Sequence, residues 1–283
     1  MTDNENTRGW RGDHPLVESM GRAAALNDFF ALPLRYPDPG RWIEAESLFQ
    51  DDDQRLRDMV VGYGQARWGT DNPHLAASGF IVAYLTRLTY PLISQYVLER
   101  RVPDVSLSNL AFHTNGRRID GTALIRPCFA ALPDDPASGH PDAQVVPDEA
   151  ALYARLKQGL FDANLELVIP SLRRASRASL RVSWNAVASS CAQVYHWLYA
   201  LAEERETVVE NARRFFGDPS SPAYREVTME VFEHQGKRGF FARRAGCCLW
   251  WRGEATREYC SGCILLSREQ QDEQFREMLV GGR

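Results

Sequence analysis

The sequence predicts a mostly helical α+β fold, with a helical body over residues 1–220 and a compact C-terminal unit over 221–283. Three observations predict it. Long stretches repeat apolar residues at steps of three and four. Two others, 105–125 and 226–252, are rich in strand formers and aromatics. Four of the six cysteines fall between Cys247 and Cys263.

The elements follow in order. Asp13 is placed to cap a first helix, with Pro15 in its first turn. Residues 52–68 put Leu56, Met59, Tyr63 and Ala66 on one face, and Gly69 supplies a stop. Asp51, Asp52 and Asp53 read as the negative first turn of that helix, favoured by its dipole, and not as a metal site. The apolar run from Leu75 to Leu98 contains Arg87, Pro91 and Gln95. Placing that arginine in a bilayer would cost roughly 2.5 kcal/mol or more, so the run reads as a buried helix, kinked near Pro91. Between Val105 and Ile125 two apolar runs flank Asn115-Gly116, a hairpin signal. The stretch 127–147, with five prolines, reads as a surface loop.

Helical periodicity returns at Asp148. Leu152, Leu156 and Leu160 share a face, which Pro170 ends or kinks. Trp184, Val187, Cys191, Val194, Leu198 and Leu201 form the clearest apolar stripe. A further helix covers about 205–216. After Pro219 the period does not decide between helix and strand, and Gly236 and Gly239 read as turns. Ser267 and Gln270 form a capping box for a last helix, which Gly281-Gly282 ends.

Bulk composition narrows the function. A net charge of -4 and a pI near 5.9 argue against a general nucleic-acid binder. The first residues, MTDNENTRGWRGDHP, hold no apolar signal core. A cytoplasmic protein with no integral membrane segment is expected, and there clustered cysteines suggest metal or redox work before disulfides. No P-loop and no G-x-G-x-x-G occurs, so neither bound nucleotide nor flavin is expected.

The cysteine pattern is Cys247-Cys248, eleven residues, then Cys260-x-x-Cys263. Four thiolates suit tetrahedral zinc or an iron–sulfur cluster. Cys260-Ser-Gly-Cys263 is a chelating turn, in which Gly262 permits the tight backbone. Adjacent cysteines diverge on an extended chain and do not easily grip one ion, which favours a wider binuclear centre while leaving zinc open. Cys191, on the apolar stripe, and Cys128, beside a proline, read as small hydrophobes. His113 and His234 stand apart from the other histidines and read as hairpin-edge or surface residues.

The segment RRAGCCLWWR, running on to YCSGC, resembles the C-terminal signature of the FhuF-like ferric siderophore reductases. The resemblance implies a 2Fe-2S cluster held by Cys247, Cys248, Cys260 and Cys263. Two departures are visible. The intervening loop has eleven residues where the family has about ten, and Ile264 follows the last cysteine where the family has proline. Upstream, LRVSWNAVASS (Leu180 to Ser190) also resembles the family. The family's larger domain is related to the C-terminal region of siderophore synthetases. No nucleotide-binding half is present here, so ligase chemistry is not expected.

By that resemblance the chain is an enzyme that reduces ferric siderophores one electron at a time. Its electrons come from a separate ferredoxin, flavodoxin or reductase. Arg243, Arg244 and Arg252 adjoin the ligands; positive charge there would raise the cluster potential, or would dock an anionic chelate or an acidic carrier. Trp250 and Trp251 point to opposite sides if the segment is extended, one shielding the cluster and one facing a ligand. Two other readings stay open: a zinc-stapled binding or regulatory protein, and an iron–sulfur sensor without turnover.

Overall fold

Helix α1 (Pro15–Leu26) begins where His14 keeps an extended backbone and its Nδ1 accepts the Leu16 N–H at 3.1 Å. Proline in the first turn orphans no donor. The expected cap, Asp13, lies outside the residues that a computed structural model of the chain describes, which are 14–33, 42–114, 119–253 and 258–281.

Strand β1 (Trp42–Glu44) and a π-helical turn (Ser47–Asp51) lead into α2 (Asp53–Trp68). The Asp52 carboxylate accepts the Arg55 N–H at 2.8 Å, and Gly69 closes the helix at φ 63°. The acidic run is thus a helix start. Leu56, Met59, Val60, Tyr63 and Trp68 are buried. Ala66, expected among them, is exposed because its position falls at the edge of the stripe.

Helix α3 (Pro73–Glu99) is the central element, with α2 and later α6 packed along it. Asn72 caps it, accepting from the His74 and Leu75 N–H groups. The helix continues through Pro91, and Arg87 satisfies its Nε on the Ile119 carbonyl. Among the described residues no helix is long and apolar enough to cross a membrane.

Strands β2 (Arg101–Pro103), β3 (Leu110–Thr114) and β4 (Ile119–Leu124) follow. β3 and β4 form the expected antiparallel hairpin, and β1 adds to the other edge of β3. Asn115-Gly116 lies outside the described residues. The proline-rich stretch 127–147 is not simply a surface loop. It supplies β5 (Phe129–Ala131), antiparallel to β2, and β6 (Ala143–Val145), parallel to β5. Its strands are three residues long and its prolines mask any period. A buried ion pair fixes it: Asp135 accepts Arg101 Nε and Nη2, each at 2.7 Å, and Arg101 Nη1 reaches the Pro15 carbonyl.

Helix α4 (Glu149–Lys157), a π-helical stretch (Gln158–Leu165) and α5 (Glu166–Ser176) run end to end, and Pro170 sits inside α5 without ending it. Leu152, Leu156 and Leu160 are buried as expected. Ser179 caps α6 (Leu180–Leu201), whose Val187, Cys191, Val194 and Leu198 are buried, with Trp184 and Leu201 partly so. Helix α7 (Arg205–Gly217) packs against α6.

The undecided segment after Pro219 is a β-hairpin, β7 (Val227–His234) and β8 (Lys237–Arg244). Gln235 and Gly236, at φ 51° and 73°, make its two-residue turn. Gly239, expected as a turn, lies within β8, where a Cβ would strike the Phe241 ring. Successive strand residues face opposite ways. Phe240 packs on Tyr199 of α6 at 5.5 Å, while Phe241 stacks on Phe275 of helix α8 (Arg268–Gly281) at 4.5 Å. The hairpin is therefore sandwiched between α6 and α8. The capping box forms reciprocally: Ser267 N–H donates to Gln270 Oε1 at 2.9 Å, and Gln270 N–H to Ser267 Oγ at 3.3 Å. Gly281 closes α8, and Gly282 lies outside the described residues.

Candidate metal centre

Both cysteine pairs hang from the end of β8. Beyond Arg244 the backbone passes Gly246, where any Cβ would collide with the Asn185 side chain of α6. The first pair, Cys247-Cys248, is thereby pressed against the body. Leu249 then takes a left-handed conformation at φ 62°, which opens a 3₁₀ turn over Trp250–Arg252. The second pair closes a tight turn, in which the Cys263 N–H donates to the Cys260 carbonyl at 3.1 Å. Gly262 stands at φ 64°, and a Cβ there would land on the Ala242 carbonyl oxygen. Its own carbonyl accepts the Arg244 N–H at 3.3 Å. From α8, Gln271 Nε2 donates to the carbonyls of Cys263 and Leu266 at 3.0 and 3.3 Å.

All four cysteines are free thiols. Cys248 and Cys263 are buried, and Cys247 and Cys260 partly so. Arg244 Nη1 donates to Cys260 Sγ at 3.1 Å and approaches Cys248 Sγ at 3.6 Å, so one nitrogen spans the two pairs. The Leu249 N–H donates to Cys247 Sγ at 3.3 Å. The Cys260 thiol bonds to Cys248 and, with Arg244 beside it, holds Cys248 well below the usual thiol range against the cost of burial. The same contact, together with burial, pushes Cys260 up. Arg244 Nε and Trp251 Nε1 are buried with no hydrogen-bond partner. An all-sulfur donor set with a cation and an amide aimed at the sulfurs fits an anionic metal–thiolate group.

The arginines adjoining the ligands separate. Arg243 and Arg244 are neighbours on a strand and so point apart. Arg243 turns from the cysteines: its guanidinium bonds Glu230 and Asp272 and also Gln271, and it lies 4.9 Å over the Phe275 ring. It clamps α8 to the hairpin. Arg252 is exposed and sits over the Trp251 ring at 5.4 Å. The tryptophans stand on a 3₁₀ turn, not an extended chain. Trp250 packs edge-on against Trp68 of α2 at 5.5 Å, and Trp251 lies 6.1 Å from Tyr259.

Beside Arg244 is a cleft of about 50 Å³, lined among others by Ser189, Gln193 and His196 of α6 and by Ser261. It has room for a few water-sized groups, not for a whole chelate. The His196 Nδ1 donates to the Phe240 carbonyl at 2.8 Å, which leaves Nε2 as the acceptor. Sequence reasoning flagged the Leu180–Ser190 segment that contains Asn185 and Ser189, but not Gln193, His196 or Gln271. Those residues sit on ordinary helical positions and only the packing brings them here.

The other flagged residues stay apart from the cysteines. Cys191 is fully buried, and burial raises its thiol; burial also raises Cys128. His113 packs at a tilt against Trp42 on the β1–β3 sheet, and His234 ends β7. Among the described residues, the potential ligand atoms that lie within 4.8 Å of one another in a group of three are those of His14, His140 and Asp142, whereas the cysteine sulfurs are spread more widely. The Nδ1 atoms of both histidines accept backbone N–H groups, from Leu16 and Asp142. In the neutral rings Nε2 then carries the proton, and His14 donates it to Asp142 at 3.3 Å. This is a hydrogen-bonded tie between α1 and the proline-rich stretch.

Comparison with known proteins adds the family. Among solved structures, ATP-bound aerobactin synthetase IucA from a hypervirulent pathotype of Klebsiella pneumoniae is similar at 18% identity, covering 57% of this chain and 32% of that one, with a TM-score of 0.46. A second IucA structure matches at 16% identity over 63% and 32%, TM-score 0.48. Aerobactin synthetase IucC, from the same source, matches at 16% over 64% and 32%, TM-score 0.42. The chain thus spans about a third of the length of each. No curated protein matches it. The family model described as ferric iron reductase FhuF-like transporter matches residues 78–238, from the start of α3 to the start of β8, upstream of the cysteines. With more than half of its length matched, the chain belongs to the FhuF-like ferric iron reductase family.

Proposed function

We propose that this chain is a cytoplasmic reductase of ferric siderophores, with residues 221–283 as its redox unit and 1–220 as the supporting body. Cys247, Cys248, Cys260 and Cys263 would hold a 2Fe-2S cluster, which when bound supplies a one-electron relay. The observation that carries this reading is the meeting of the two cysteine pairs through Cys248 and Cys260 under one Arg244 nitrogen, with Cys247 accepting the Leu249 N–H beside them. Family membership supports the iron chemistry.

The reduction needs one electron per ferric ion. A separate donor, a ferredoxin, flavodoxin or reductase, loses that electron, and Fe(III) in the chelate becomes Fe(II). Hard oxygen donors hold Fe(II) far less tightly, so the metal leaves and the organic ligand survives intact. The residues of this chain position and tune. Gly246 and Gly262 let the two pairs approach the body and the strand, and Gln271 braces the second turn. Arg252, exposed over Trp251, is the cation best placed to meet an anionic chelate or an acidic donor. The chelate would bind between the helical body and the C-terminal unit, where the cleft beside Arg244 by itself admits only part of it.

The test is anaerobic purification followed by iron, sulfide and zinc analysis, then reduction with dithionite and mixing with a ferric hydroxamate. The expected protein is red-brown, and is re-oxidised as Fe(II) appears on a chromogenic chelator. A colourless protein holding zinc would sink the reading. A coloured one that ignores every ferric chelate would be a sensor, not a reductase.

A further inference from the structure

We infer that Arg244 is a positioning residue, which joins the two cysteine pairs and sets the reduction potential of the group they hold, and that it does not dock substrate. The inference rests on the function proposed above. Sequence proximity treats Arg243, Arg244 and Arg252 alike, whereas the structure gives each a different task.

Arg243 is taken up by Glu230 and Asp272. Arg252 faces solvent over Trp251. Arg244 alone of the three has a nitrogen on the sulfurs, and it reaches Cys248 from the first pair and Cys260 from the second. Those cysteines are separated in sequence by the intervening loop, so the guanidinium adds a side-chain bridge between the two turns. Its own backbone N–H is bonded to Gly262 of the second turn. The residue is thus tied to the ligand set by both main chain and side chain.

The geometry leaves Arg244 poorly placed to meet a chelate. It is partly buried, its Nε is buried, and the adjoining cleft admits only small groups. A charged donor on thiolate sulfur withdraws electron density and favours the more negative, reduced state. One nitrogen of the delocalised, weakly hydrated guanidinium does this across two sulfurs, whereas a lysine ammonium is a strongly hydrated point charge.

The experiment compares wild type, R244Q, R244K and R238Q in the full chain. Arg238 lies on the same strand and pairs with Glu233, away from the sulfurs, so R238Q controls for net charge. Potentials are read by dye-mediated redox titration of the visible spectrum, and KM for a ferric hydroxamate is measured alongside. The expected result is a lower potential in R244Q, partial recovery in R244K, none lost in R238Q, and an unchanged KM. If R244Q retains no cluster, R244K decides: a potential below wild type supports the inference, and one equal to it overturns it. Loss of the cluster from both variants, with helical circular dichroism intact, supports the joining role, because the pairs then need the guanidinium to assemble. An unmoved potential with a raised KM would make Arg244 a docking residue and overturn the inference. A colourless wild type would instead remove the function beneath it.

Discussion

Trp68 at the end of α2 and Trp250 in the cysteine-bearing unit meet edge to face, with centroids 5.5 Å apart and planes at 89°. This contact joins the helical body to the turn that follows Cys248. Trp68 is itself fixed by Gly79 of α3, where a Cβ would run into the indole. Replacing Trp250 with leucine should cost about 2 kcal/mol, below the range for a fully buried aromatic. A double-mutant cycle with W68L should show a coupling of about 1 kcal/mol in urea unfolding. Strict additivity would show that the two rings do not support each other.

Gly262 combines a positive φ with a seat against the Ala242 carbonyl. Under the proposed function G262A should strip most of the iron and sulfide, since an L-residue costs about 1–2 kcal/mol at that φ before the clash is counted. Gly139 has nothing within 4 Å of its would-be Cβ, and G139A should keep its metal. Colorimetric iron and sulfide assays on the two proteins decide the matter; equal contents would refute the seat.

Arg243 joins β8 to β7 and α8 through Glu230, Asp272 and the Phe275 ring. R243Q leaves the partly buried Asp272 without its cation and Glu230 with only its longer contact to Arg268, at a cost of about 2 kcal/mol. Amide exchange should quicken in α8 first. Unchanged protection of α8 would mean that the aromatic packing on Phe275 and the Gln271 hydrogen bonds hold the helix without Arg243.

The Tyr195 side chain is fully buried and its hydroxyl has no hydrogen-bond partner. Such a group bears its desolvation without return. Y195F should be neutral or stabilising by up to about 1 kcal/mol in thermal or urea unfolding. A clear loss of stability would reveal that the hydroxyl is satisfied in solution.

Burial lowers the His14 pKa, helped by His140 and Arg101, and outweighs the Asp142 carboxylate that pulls it up. The folded state thus prefers the neutral ring, whose Nδ1 caps α1. The unfolded chain binds the proton first, so stability from this residue is intact above about pH 6.5 and declines as pH falls through the lowered folded value. H14N keeps a capping oxygen but does not titrate. Its urea midpoint should fall less than the wild type's between pH 7.5 and 5.5. Parallel declines would assign the acid sensitivity elsewhere, His196 being the other histidine that burial depresses.

Local chemistry was legible wherever its partners are close in sequence. Asp52 and Gly69 bound α2, and Ser267 and Gln270 form their box, because each device is complete within a few residues. Strands β5 and β6 were hidden, since each is three residues long and β5 pairs with the distant β2. Gly239 was misread as a turn because a glycine needed for a ring's clearance looks the same in sequence as one needed for φ. The cysteines announced themselves by spacing. The division of labour among Arg243, Arg244 and Arg252 did not. Strand alternation separates the first two, but only the sandwich of α6, hairpin and α8 settles which side faces sulfur.

Gly262 backs onto Ala242 and Arg244, and the first cysteine pair follows Arg244 by three residues, so one strand end serves as datum for all four thiols. A change that shifted this strand end would displace both cysteine turns at once, so the register of a single strand is the point on which the site's geometry depends.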